Sequence, residues 1–134
     1  MQKYEFQNRI IYFGSPQASV PVDFTPPFAV LLPASNRLDL LEAEAIIVAL
    51  LETGCIEFCC VGSEAELLHD SIDSLIEDRA AFDVVTTFHL DEIDACEYFL
   101  FAAGGGVKSL LALVASHPKL VSRLQEEIAT LGNP

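Results

Sequence analysis

The sequence predicts an α/β fold in three layers: a small parallel sheet of three to four strands with helices on both faces. Three observations predict it. Short apolar runs at 28–33 (FAVLLP), 55–61 (CIEFCCV) and 82–88 (FDVVTTF) alternate with longer amphipathic stretches. Helix start and stop signals fall between those runs, and strand–helix–strand order implies right-handed crossovers and a parallel sheet. At 134 residues and 51% hydrophobic, the chain suits one domain with a substantial core.

The elements follow in order. YEFQNRIIYF (4–13) is aromatic and β-branched enough for a strand, though its alternation is irregular. GSPQASVPVDFTPP (14–27) holds four prolines and reads as a loop or extended arm. Residues 1–27 are therefore an N-terminal strand and Pro-rich arm, and 28–134 a single α/β domain. FAVLLP, continuously apolar, fits a strand buried on both faces. Asn36 with Asp39 opens a helix through LDLLEAEAIIVALLE, and Gly54 ends it. That helix is apolar from 45 to 51 without a break, so burial nearly all round is expected, with surplus surface for a partner subunit.

CIEFCCV is the second core strand. Strict alternation places Cys55 and Cys59 on one face and Cys60 on the other. Ser63 and Glu66 form an S-x-x-E capping box before a helix with Leu68, Ile72, Leu75 and Ile76 at helical spacing. FDVVTTF is the third strand. Residues 91–103 suit a helix better than a fourth strand: Asp91 and Asp94 mark a start, and Ile93, Cys96, Leu100 and Ala103 share a face. GGG (104–106) is then a hinge, and VKSLLALVAS after it reads as helical. Pro118 opens a last helix striped by Val121, Leu124, Ile128 and Leu131.

Charge is uneven. Residues 38–103 hold 16 of the 20 acids and one base, Arg79. Such a stretch repels phosphate backbones, so no nucleic-acid partner is expected. It suits solubility, or a basic protein partner. No run approaches the length of a membrane helix, and MQKYEFQNRI lacks the apolar core of a secretory signal, so no membrane partner and a cytoplasmic location are expected. Four cysteines in that setting read as reduced core thiols, without the paired spacing of a zinc site. No metal and no cofactor is predicted. Glu66, His69 and Asp73 share a helix face, which reads as its solvated side.

In an open parallel sheet, ligands bind where strand carboxyl ends meet helix starts. That rule makes Ser35 and Asn36, then Ser63 and Glu64, then Thr87 and His89 the candidate ligand-binding residues. Within VVTTFHLDEIDA (84–95), Thr87, His89 and Asp91 are the candidate catalytic set. The hydroxyl can donate or accept, the imidazole can move a proton near neutral pH, and Asp91 can orient it. A plainer reading has the threonines as strand residues, Asp91 as a helix cap and His89 as a surface histidine. GGGVKS has neither dinucleotide-binding nor P-loop spacing, although a glycine-rich turn can present N–H groups to an anion.

Gly54-Cys55 before an apolar strand, Asp70 with Asp73 on the helix after it, and Thr86-Thr87-Phe88-His89 with Glu92 together resemble a family of small, functionally uncharacterised bacterial proteins. The resemblance covers residues 28–103. That family favours Trp where this chain has Phe88. It implies no activity, but raises the interest of Thr87 and His89.

The layering expected is Rossmann-like or flavodoxin-like. The function expected first is a non-enzymatic binding or accessory module that self-associates, a homodimer being the simplest form. Two alternatives accompany it: a small enzyme or ligand sensor using the Thr87/His89/Asp91 rim, and an acidic inhibitor or immunity-type partner of a basic protein.

Overall fold

The computed structural model describes residues 2–17 and 24–132. The N-terminal stretch expected as one strand is a hairpin of β1 (Gln2–Phe6) and β2 (Arg9–Phe13), paired antiparallel. Gln7 and Asn8 turn it with φ of 45° and 66°. Two successive positive-φ residues make the turn that matches strand twist, and Asn tolerates that region. The Pro-rich arm lies partly outside the described residues, at 18–23.

The core follows with β3 (Phe28–Pro33), α1 (Arg37–Glu44), α2 (Ile47–Thr53), β4 (Cys55–Val61) and α3 (Ala65–Asp78). Then come β5 (Val85–His89), α4 (Glu92–Phe101), a 3₁₀ turn (Ala103–Gly105), β6 (Ser109–Ala112) and α5 (Pro118–Gly132). All twelve elements serve one six-stranded sheet ordered β1-β2-β6-β3-β4-β5, in which only the β1–β2 pair is antiparallel. The sheet thus exceeds the three to four strands expected. The shortfall lies at the two ends of the chain: β1 and β2 are separate strands, and β6 occupies residues expected to be helical.

SLLA (109–112) has good helix formers, yet all four residues are buried between β2 and β3. A short apolar run carries no periodicity to separate strand from helix. A slot with ladder partners on both sides decides it, because a buried backbone must be paired. The GGG run therefore leads from α4 into a strand and is not a hinge between helices. Residues 91–103 are helical through α4, as expected, with Asp91 Oδ1 accepting from the Ile93 N–H at 3.2 Å.

The long first helix divides into α1 and α2 around Ala45 and Ile46. The division exposes Ala45 and Ala49 and leaves only Ile47 and Leu50 of α2 buried, so the helix is not enclosed all round. Its ends are as expected: the Asn36 side chain accepts from the Asp39 N–H, and Gly54 closes α2 at φ 110°. The capping box before α3 does not form. Glu64 occupies the cap position without a side-chain bond, and Ser63 Oγ instead donates to the Ser35 carbonyl at 3.2 Å.

Two apolar clusters lie on opposite sides of the sheet. Alternate residues of β3 and β4 send Val30, Leu32, Phe58 and Cys60 to α1, α2 and α3, and Leu31, Cys59 and Val61 to α4 and α5. Cys55 breaks the expected alternation. Phe28 pairs with Cys55 and Ala29 with Glu57, so Ile56 is an extra residue, and Cys55 packs with Cys60 rather than Cys59. A bulge of one residue flips every side chain before it to the other face. On α5, Leu120, Leu124 and Ile128 are buried and Val121 packs beside them. The side chain of Leu131 is outside the described set.

Candidate functional site

After β3 the chain turns to α1 on one side of the sheet, whereas after the adjacent β6 it turns to α5 on the other. Two neighbouring strands whose following helices diverge leave a crevice at their carboxyl ends, where α/β sheets hold ligands. Here the crevice is a cavity of about 510 Å³ lined by Ser35, Gly62, Ser63, Leu90, Glu92, Ser116, His117, Pro118 and Lys119. A second cavity of about 400 Å³ adjoins it, sharing Glu92, Pro118 and Lys119 and adding Arg123.

The walls are held by local bonds. Ala34 donates to the Val61 carbonyl at 2.7 Å, Glu64 to the Ala34 carbonyl at 2.7 Å, and Gly62 to the His89 carbonyl at 3.1 Å. Gly62 is required: it has φ 129°, and a Cβ there would lie 2.6 Å from the Ala34 carbonyl oxygen. Asp39 ties the crevice together. Its Oδ2 accepts from the Ser35 N–H at 2.9 Å, and its Oδ1 lies 3.1 Å from His117 Nε2. The Asp39 side chain is 10% exposed and that of His117 22%. Nε2 is the ring nitrogen that faces the carboxylate, which orients the imidazole. Lys119, in the first turn of α5, has no acidic partner among the described residues. Arg123 pairs with Glu127 at 3.4 Å and with Glu126 at 3.6 Å.

The candidate residues scatter around this cavity. Ser35 and Ser63 line it. Asn36 caps α1, Asp91 caps α4, and Glu64 begins α3. Thr87 and His89 lie on the α4 side of β5, and neither lines the cavity. Thr87 and His89 stand on one face of β5 beside Tyr98, whereas the Asp91 side chain is engaged at the Ile93 N–H as the α4 cap. His89 packs its ring 5.2 Å from that of Tyr98, with Nδ1 buried and unpartnered. His69 reaches Asp70 at 3.0 Å and Asp73 at 3.4 Å along α3, while Glu66 stands apart from that contact. Among the described residues, no group of three His, Cys, Asp or Glu could hold a metal ion, and no helix is long and apolar enough to cross a membrane.

Thr87 belongs to a different constellation. Two residues before Cys59 and four before Val61, Glu57 shares their face on the α4 side of the sheet, where it is 5% exposed. Its carboxylate accepts from Thr87 Oγ1 (3.1 Å), Tyr98 Oη (2.5 Å), the Gly104 N–H (2.8 Å) and Cys59 Sγ (3.6 Å). Burial pushes the Tyr98 hydroxyl well above its ordinary value, and the hydrogen bond and charge of Glu57 push it further. A buried carboxylate surrounded by donors is tolerated where an isolated one is not. This cluster fastens α4 and the glycine turn to the sheet.

Ser116, His117 and Lys119 carry no local signal that places them at the sheet, because SLLA before them has no periodicity marking it as a strand, and Asp39 is legible only as the partner of the Asn36 cap. Glu57 had a signal: a lone acid inside an apolar strand must find partners or a bulge.

No curated protein matches the chain. A family model, described as a domain of unknown function (DUF7684), matches residues 9–130. That span runs from β2 through most of α5 and takes in every wall of the crevice, so the chain belongs to the DUF7684 family.

Proposed function

We propose that this protein is a small-ligand-binding module whose site is the crevice between the carboxyl ends of β3, β4 and β6, and that the ligand carries a phosphate or carboxylate group. One observation carries the reading. In a chain of net charge −13, the crevice at the sheet's divergence point sets Ser116, His117 and Lys119, at the start of the 15-residue helix α5, opposite Ser35 and Ser63, with Glu92 as its one acidic lining residue. Helix N–H groups and a lysine without an acidic partner favour an anion there. The helices on both faces of a mostly parallel sheet support a doubly wound, three-layer reading of the fold, in which this crevice is the usual ligand position.

The test is calorimetric titration of the protein with inorganic phosphate, repeated on Lys119→Ala. Saturable binding that weakens about tenfold or more in the variant supports the site, since a hydrogen bond to a charged group contributes about 1.5–3 kcal/mol. No binding, or binding that the substitution leaves unchanged, overturns it.

The His117–Asp39 pair favours a second reading, a small enzyme using His117 as a proton-transfer group on a ligand in the same crevice. A histidine oriented by a carboxylate is the arrangement general bases use. No hydrogen bond joins the ring to Ser35, Ser63 or Ser116 among the described residues, so the binding reading comes first.

A further inference from the structure

We infer that the β5 edge of the sheet is a docking site for an extended, basic segment of another protein, which adds as a further strand. The two edges of this sheet differ. The β1 edge carries Lys3 and Glu5 and is folded into a hairpin. The β5 edge, VTTFH, has no Lys, Arg, Asp or Glu. Natural edges are normally blunted by charge, proline or a bulge, because an open edge recruits strands.

The backbone there is open. The His89 carbonyl accepts from Gly62, so Val85, Thr87 and His89 face β4, and the N–H and C=O groups of Thr86 and Phe88 point outward. Large apolar side chains stand on or just before the same strand: Phe82 is 75% exposed, Val85 51% and Phe88 37%. Exposed apolar side chains beside open backbone are the surface that strand addition uses.

Charge selects the occupant. Asp83 precedes the strand and Asp91 and Asp94 follow it, while α3, packed on β5, carries Asp70 and Asp73. A second copy is the poorer fit, because two-fold pairing centred on Thr87 would set Asp83 of one copy opposite Asp91 of the other. Like charges opposed across strands repel. A segment alternating apolar residues with Lys or Arg satisfies the exposed apolar side chains, the open backbone and the acidic flanks together.

The test uses the full chain and a short fluorescein-labelled peptide of alternating lysine and valine, followed by anisotropy. The expected result is saturable binding that weakens in high salt, is absent with a glutamate–valine peptide, and falls at least tenfold in Val85→Lys and in Phe88→Pro. Val85 is exposed, so its substitution leaves folding intact, and Phe88→Pro removes an outward N–H that β4 does not use. In the unaltered protein, peptide binding should slow hydrogen exchange of the Thr86 and Phe88 amides. Equal binding by Val85→Lys, or unchanged exchange at those amides, overturns the proposal. So does a stable dimer that Phe88→Pro dissociates, which would give the edge to a second copy.

Discussion

His117 Nε2 lies 3.1 Å from Asp39 Oδ1, a contact across 78 residues of sequence that joins the turn after β6 to the first turn of α1. Asp39 also accepts from the Ser35 N–H, so one carboxylate positions two walls of the crevice.

Asp39→Ala should therefore cost about 1–2 kcal/mol in urea unfolding, the scale of two partly exposed hydrogen bonds. It should also weaken phosphate binding more than Asn36→Ala does. The latter removes only a helix cap, costing about 1 kcal/mol. Equal binding by the two variants would separate Asp39 from the site.

Adjacent threonines on β5 should respond with opposite signs. Thr86 Oγ1 is buried without a partner, so Thr86→Val should be neutral or stabilising by up to about 1 kcal/mol. Thr87 Oγ1 donates to Glu57, and Thr87→Val should destabilise by about 1–2 kcal/mol. Thermal unfolding of the pair gives both values.

Glu57→Gln keeps the shape of the side chain but replaces one acceptor with a donor facing other donors. The expected loss is about 2–4 kcal/mol, because buried donors left unpaired cost about 1–3 kcal/mol each. A urea midpoint close to that of the unaltered protein would refute the role given to this cluster.

Two glycines with positive φ should differ sharply. A Cβ at Gly62 meets the Ala34 backbone at 2.6 Å, whereas one at Gly105 meets nothing within 4 Å. Gly105→Ala carries only the left-handed penalty, about 1 kcal/mol, and Gly62→Ala should cost at least twice that and reshape the crevice.

Alkali should destabilise the fold before it ionises the native thiols. Burial pushes Cys60 and Cys96 up to about 12 from an ordinary 9.0, with the charges of Asp73 and Glu92 respectively adding to the effect. Cys55 and Cys59 rise too, chiefly by burial. Above pH 9 the unfolded chain releases protons that the native chain retains, so stability falls as pH rises, up to about pH 12. Each thiol contributes a slope approaching about 1.4 kcal/mol per pH unit. Urea midpoints measured across that window should fall steadily, and Cys60→Ala should make the fall shallower.

The sequence by itself determined the middle of the protein. The runs at β3, β4 and β5, the Asn36 and Asp91 caps, the Gly54 stop and the Pro118 start are local signals, written within a few residues of where they act. The candidate site was legible only in part, as Ser35 and Ser63, because the rule about strand ends needs no knowledge of strand order. Tertiary structure decided the rest. SLLA became β6 because β2 and β3, both near the start of the chain and far from it in sequence, left a slot between them. That choice carried His117 and Lys119 to the crevice. The Ile56 bulge, visible only in register against Phe28 and Ala29, moved Cys55 to the face of Cys60, and the pairing of β5 beside β4 drew Thr87 to Glu57. Propensity is summed over neighbours in sequence, whereas backbone pairing and register are settled between strands that sequence keeps apart.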